Sequence, residues 1–188
     1  VLLPFVLGKW TPLISLGLLM ALWIVATVSV SLHDHLQNRQ HALLHALIEL
    51  PKAYLGMLLA HLGVAVFIAG VTLVKGYEIE KDLRMSPGDV AQVGRYDFHF
   101  ESLHDEAGPN YMAARGLFRV TRNGSLVTIL EPEKRMYTVQ SMPMTEAAID
   151  AGVLRDLYIS LGEPIGGKAW SVRIYIKPFA QWIWAGCM

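Results

Sequence analysis

The chain has 188 residues, over half of them hydrophobic, with sixteen acidic and sixteen basic side chains that cancel. Balanced charge gives no overall field to gather nucleic acid or an acidic partner, so nucleic-acid binding is excluded as a reading. A lone cysteine, Cys187, excludes an internal disulfide framework and any Cys-rich metal site.

The apolar residues fall in two runs and a tail, which is the pattern of an integral membrane protein. Residues 1–10 read as a truncated N-terminal segment. Thr11 to Leu32 is too long for the core of a secretion signal and is followed by no A-x-A-like site, so it reads as a transmembrane helix with Pro12 in its first turn. At 22 residues it spans about 33 Å, close to the hydrocarbon thickness of a bilayer. His33 to Lys52 forms a connector short enough to make the flanking helices antiparallel neighbours. Its HALLHALIEL stretch fits a brief amphipathic surface helix.

Ala53 to Val74 is the second span, with no formally charged side chain but with one imidazole, His61. His61 lies about 12 Å along the helix from Ala53, inside the hydrocarbon layer. A polar ring at that depth is costly unless a helix, a cofactor or a cavity meets it. Two readings follow: a helix-to-helix hydrogen bond, or an axial ligand to haem iron in an apolar surround. Gly56, Ala60, Gly63, Ala65 and Gly70 would admit either a planar group or a second helix. Neither span offers a second ligand. His41 and His45 have the i, i+4 spacing of metal ligands, yet no Glu, Cys or carboxylate completes a set, and His33 and His35 read as interfacial.

From Lys75 to Lys177 the chain is polar, mixed in charge and punctuated by Gly and Pro, so this part folds in water. VGRYDFHFESL alternates with period two, placing Tyr96, Phe98 and Phe100 on one face and Asp97 and His99 on the other. GLFRVTRNGSLVTIL reads as a hairpin turning at Asn123-Gly124. KAWSVRIYIKP sets Trp170, Val172, Ile174 and Ile176 on one side. A short helix is expected from Thr145, with a strand near Leu157. EPEKRMY reads as a charged hairpin end, with nothing evident to pair Glu131 or Glu133. His99 and His104 are expected on the solvated face. Residues 178–188 read as the start of a truncated third transmembrane helix. The predicted class is thus a membrane protein of α plus β type, with a small antiparallel barrel or sandwich between spans. No hydrolase, dehydrogenase or nucleotide-binding motif occurs.

Several stretches in order, namely GMLLAHLGVAVFIAGVTLVKGYEIEKDLRMSPGD, GPNYMAARGLFRVTRNG, PEKRMY, MPMTEAAID and RDLYISLGEPIG, resemble the C-terminal part of the CcmF family, the haem lyase component of cytochrome c biogenesis. The resemblance runs from about Tyr54 to the end. It implies a protein of the bacterial cytoplasmic (inner) membrane, with connector 33–52 cytoplasmic and domain 75–177 periplasmic. It also implies that His61 is one axial ligand of a haem b whose second ligand lies outside this chain. The implied partners are a haem chaperone, apocytochrome c, thiol-handling maturation subunits and the lipid bilayer, with quinol as an electron source. The implied activity is covalent attachment of haem to apocytochrome c, and this piece alone is expected to be inactive. Two alternatives remain open: a non-redox structural assembly module, and a haem transporter. The family's Trp-rich haem-handling segment and external histidines are absent from this sequence, and its expected Arg-rich connector is instead His-rich.

Overall fold

The computed structural model describes residues 11–37, 50–139 and 142–188. The HALLHALIEL helix and the His41/His45 pair therefore lie outside the described residues. The chain divides into two compact units, Glu78–Pro178 and the helical segments on either side of it.

The helical unit holds α1 (Pro12–Gln37), α2 (Lys52–Tyr77) and α3 (Ala180–Cys187). Thr11 caps α1, its Oγ1 accepting from the Ile14 amide at 3.3 Å, and Pro12 follows at the first helical position, where no amide donor is needed. The helix continues past the apolar run through His33, Asp34 and His35 to Gln37, because the backbone ladder is indifferent to side-chain polarity once a helix is under way. Both α1 and α2 are long and apolar enough to cross a membrane. Ile14 and Leu18 of α1 pack with Leu73 of α2, joined by Tyr77 and Phe179. Leu13, Leu16, Leu19 and Trp23 of α1 are left exposed, as side chains that face lipid are.

Small residues set how closely the helices approach. A Cβ on Gly63 would sit 2.7 Å from the Gly186 carbonyl oxygen, and one on Gly70 would sit 2.9 Å from the Ile183 amide nitrogen. Gly63 and Gly70 thus serve the α2–α3 contact, whereas Gly56 faces open space.

Among the described residues the second unit contains ten strands: β1 (Ile79–Met85), β2 (Val90–Val93), β3 (Tyr96–Ala107), β4 (Tyr111–Arg122), β5 (Ser125–Leu130), β6 (Glu133–Tyr137), β7 (Pro143–Glu146), β8 (Ala148–Asp150), β9 (Arg155–Gly166) and β10 (Ala169–Pro178). One sheet runs β1-β10-β9-β8; the other runs β2-β3-β4-β6-β7, with β5 also on β4. All pairings between described strands are antiparallel. The core is drawn from both sheets, with Phe98, Phe100, Phe118 and Val120 meeting Leu157, Ile159, Leu161, Val172 and Ile174. That is a β-sandwich. Phe100 and Phe118 stack at 4.3 Å, over Gly116, where a Cβ would fall 2.9 Å from the Phe118 ring.

Alternation within β3 and β10 matches the expected faces, with Tyr96, Phe98 and Phe100 buried, as are Val172, Ile174 and Ile176. Asn123 and Gly124 turn the β4–β5 hairpin with φ of 51° and 78°. Ile79 pairs with Ile176, so first and last strands are neighbours and the chain enters and leaves this unit side by side. This is what allows a sandwich to be inserted between two helices.

Two expectations are corrected. Thr145 starts no helix: it lies in β7, paired with Lys134, followed by β8 on β9. Pro143 lacks an amide donor and is accommodated because β7, among the described strands, is an edge strand paired with β6. EPEKRMY is not a hairpin end but includes an interior strand, β6, between β4 and β7.

Candidate functional site

His61 stands ten residues into α2, two turns beyond Tyr54 and nearly in line with it on one helix face, since seven residues rotate to within about 20°. The Nδ1 atom lies 2.8 Å from the Met57 carbonyl oxygen. A carbonyl can only accept, so Nδ1 donates and carries the ring proton. The lone pair is therefore on Nε2. The ring is exposed among the described residues.

With Nδ1–H held on a backbone acceptor, the ring orientation is fixed and its other nitrogen is turned outward. An apolar cleft of about 260 Å³ opens between the helices, lined by Leu18, Ala21, Leu62, Ala65 and Trp182 among others; His61 is not part of its lining.

At the connector end of α1 and α2, His35, which the sequence reads as interfacial, joins a polar cluster. The Tyr54 hydroxyl and Ser31 Oγ are 2.9 Å apart, and the His35 ring stacks on Tyr54 with centroids 4.6 Å apart and planes 19° from parallel. His33 lies beside Gln37 at 2.5 Å. Among the described residues no group of three or more His, Cys, Asp or Glu side chains is arranged to hold a metal ion.

In the sandwich unit, His104 is exposed, as expected, and half-buried His99 meets Thr121 Oγ1 at 3.2 Å across the β3–β4 pair. Glu133 does have partners. Its carboxylate is buried and accepts from Arg115 Nε and Arg135 Nε, each at 2.7 Å. Arg115 also reaches Glu106 at 3.0 Å and Glu131 at 3.7 Å, and Arg135 reaches Glu146 at 3.3 Å and covers the Tyr111 ring at 4.6 Å. Burial pushes the Glu133 carboxyl up, but hydrogen bonds from Arg135 and Arg115, with their charges, outweigh it and hold the group below the usual carboxylate range. The surplus of acidic partners makes this a closed structural network.

Two long apolar helices and a β-sandwich inserted between helical segments define a membrane-spanning protein of α plus β type. A family profile described as "CcmF C-terminal beta-sandwich" matches residues 76–178, and the chain belongs to that family. It is 46% identical to "Cytochrome c-type biogenesis protein CcmF" of Pseudomonas aeruginosa over 169 residues, 89% of this chain and 25% of that protein. It is also 46% identical to the protein of the same name from Escherichia coli, over 71% of this chain and 21% of that protein. The chain thus spans about a quarter of the length of the curated relatives it matches. A solved structure, "Cytochrome c Heme Lyase CcmF", shares the fold with a TM-score of 0.76 at 17% identity, covering 95% of this chain and 29% of that one.

Proposed function

We propose that this chain is the C-terminal part of a cytochrome c haem lyase of the bacterial inner membrane, in which His61 is one axial ligand of a haem b. The observation that carries the proposal is the bond from His61 Nδ1 to the Met57 carbonyl, which leaves Nε2 with an unshared pair on the exposed side of a membrane-spanning helix.

When bound, the group supplies reversible one-electron chemistry, with quinol as the source of electrons and ferrous haem as the form required for thioether formation. The chain's own contribution is to hold the imidazole in one tautomer and to leave the second ligand position to a residue elsewhere in the full-length protein. The sandwich, on the periplasmic side, is a platform for a haem chaperone, apocytochrome c and thiol-handling subunits, and the 33–52 connector is cytoplasmic. The names of the curated relatives support this assignment to cytochrome c maturation.

Absorbance of the purified full-length protein tests it. A low-spin haem b spectrum that His61→Ala abolishes is the expected result. An unchanged spectrum in that variant would favour a structural assembly role for the imidazole, and haem delivery to outward-facing vesicles without apocytochrome would favour a transporter.

A further inference from the structure

The loop between β8 and β9, residues 151–154, turns two aliphatic side chains away from the sandwich core: Val153 is 73% exposed and Leu154 64%. The loop is tightly held. The Asp156 carboxylate accepts from the Gly152 amide at 3.0 Å, and Arg155 donates to the Asp150 carbonyl at 3.2 Å and to the Asp150 carboxylate. Arg155 also donates to the Tyr96 hydroxyl at 3.1 Å, and a Cβ on Gly152 would fall 2.9 Å from the Arg155 carbonyl oxygen. A turn pinned in this way presents Val153 and Leu154 in a set direction, and adjacent large aliphatic side chains at a loop tip mark a surface that something apolar covers.

Connectivity indicates what that is. Pro178, the last residue of β10, pairs with Arg155, so the loop lies at the end of the sandwich where the chain enters and leaves. Glu78 alone separates Tyr77 of α2 from Ile79, and Phe179 alone separates Pro178 from Ala180 of α3. Each tether spans about 7 Å at full extension. Tyr77 is three residues past Val74, the last of the apolar run, or about 4.5 Å along the axis, so this end of the sandwich is confined to the neighbourhood of the bilayer surface. We propose that residues 151–154 seat the sandwich on the membrane that α1 and α2 cross, with Val153 and Leu154 in the interfacial layer and Arg95 and Arg122 on lipid phosphates. Apolar side chains of such surface elements rest about 5–10 Å into the headgroup boundary, within the reach of these tethers. The Arg122 guanidinium lies 6.0 Å from the centroid of the Tyr96 ring and that of Arg155 lies 5.4 Å from it, which ties the cation to the loop. Arg95 is exposed in the β2–β3 turn at the same end. Of the acidic groups there, Asp150 and Asp156 are engaged within the loop, Glu78 has a partner of its own, and half-buried Asp97 sits opposite Thr121. None of this depends on how His61 is used.

The test uses full-length protein in lipid nanodiscs, with Cys187→Ser and a fluorescent label on Ala151→Cys, which is exposed beside the tip and leaves Val153 and Leu154 intact. A label on Lys168→Cys, in the turn at the other end of β9 about 36 Å away, is the control. Two quenchers are compared: a phosphatidylcholine with a nitroxide high on its acyl chain, and iodide in the buffer. The nitroxide is expected to quench the Ala151 label about threefold more strongly than the Lys168 label, and iodide to do the reverse. Val153→Asp with Leu154→Asp is expected to bring the Ala151 label to the level of the control; the milder pair Val153→Ser and Leu154→Ser shifts it the same way and covers a failure of the aspartate pair to fold. Arg95→Gln with Arg122→Gln is expected to lower nitroxide quenching about twofold in bilayers containing phosphatidylglycerol. Iodide quenching equal to that at Lys168 would put the tip in water, and shielding from both quenchers would put it under another part of the full-length protein; either result overturns the membrane seat. Unchanged quenching in the arginine variant overturns the phosphate contact.

Discussion

At the scale of single residues, two side chains show how differently position and environment are written. His61 could be located from sequence alone, because an imidazole in an otherwise apolar run is conspicuous and helical rise gives its depth. Which nitrogen it presents is a matter of the Met57 carbonyl one turn away. Glu133 is the opposite case: in EPEKRMY it looked like one surface charge among many, and only the meeting of β4 with β6 puts Arg115 against it. Replacing Glu133 with Ala leaves two guanidinium groups without their central acceptor. Since Arg115 is partly open to water, which screens it, the expected loss is about 2 kcal/mol, readable from urea unfolding followed by the emission of Trp170. The pH dependence has a definite sign. The Glu133 carboxyl is held low in the folded state, so the unfolded chain takes up its proton first, near pH 4.3 for a free glutamate. Its stabilisation is complete above that pH and is lost as pH falls through the lower folded value. Glu133→Ala should therefore flatten the acid limb of the stability profile while leaving its slope near neutrality unchanged.

At the scale of elements, local rules carry strands and turns well, and close approach carries the helices. The Asn123-Gly124 hairpin formed as its dipeptide predicts, with both residues at positive φ. A Cβ at Gly124 would meet nothing, so Gly124→Ala tests the backbone alone and should cost about 1 kcal/mol in the same unfolding experiment. Gly63 answers to another constraint. Its Cβ position lies against the backbone of α3, which cannot yield as a side chain does, so Gly63→Val should destabilise the solubilised protein by about 2 kcal/mol and lower its melting temperature. The expected helix at Thr145 failed because a four-residue edge strand has too little alternation to be told from a short helix, and its identity comes from pairing with β6.

At the scale of the whole molecule, the units are separable in their chemistry. The sandwich has its own core, and its first and last strands are paired. Residues 78–178 expressed alone should therefore fold and unfold as one cooperative transition, with coincident circular dichroism and Trp170 fluorescence curves. Sequence by itself determined the two apolar runs, the change to a β-rich domain at their end, the faces of β3 and β10, and the place of His61. Each of these is recorded in hydrophobic period or in a run long enough to cross a bilayer. Tertiary structure decided that β1 joins β10, that Glu133 is enclosed by two arginines, that Gly63 and Gly70 receive α3, and that Tyr54 meets Ser31 and His35. Those contacts join residues far apart in the chain, and no local window of sequence contains both partners whose burial and hydrogen bonding make them favourable.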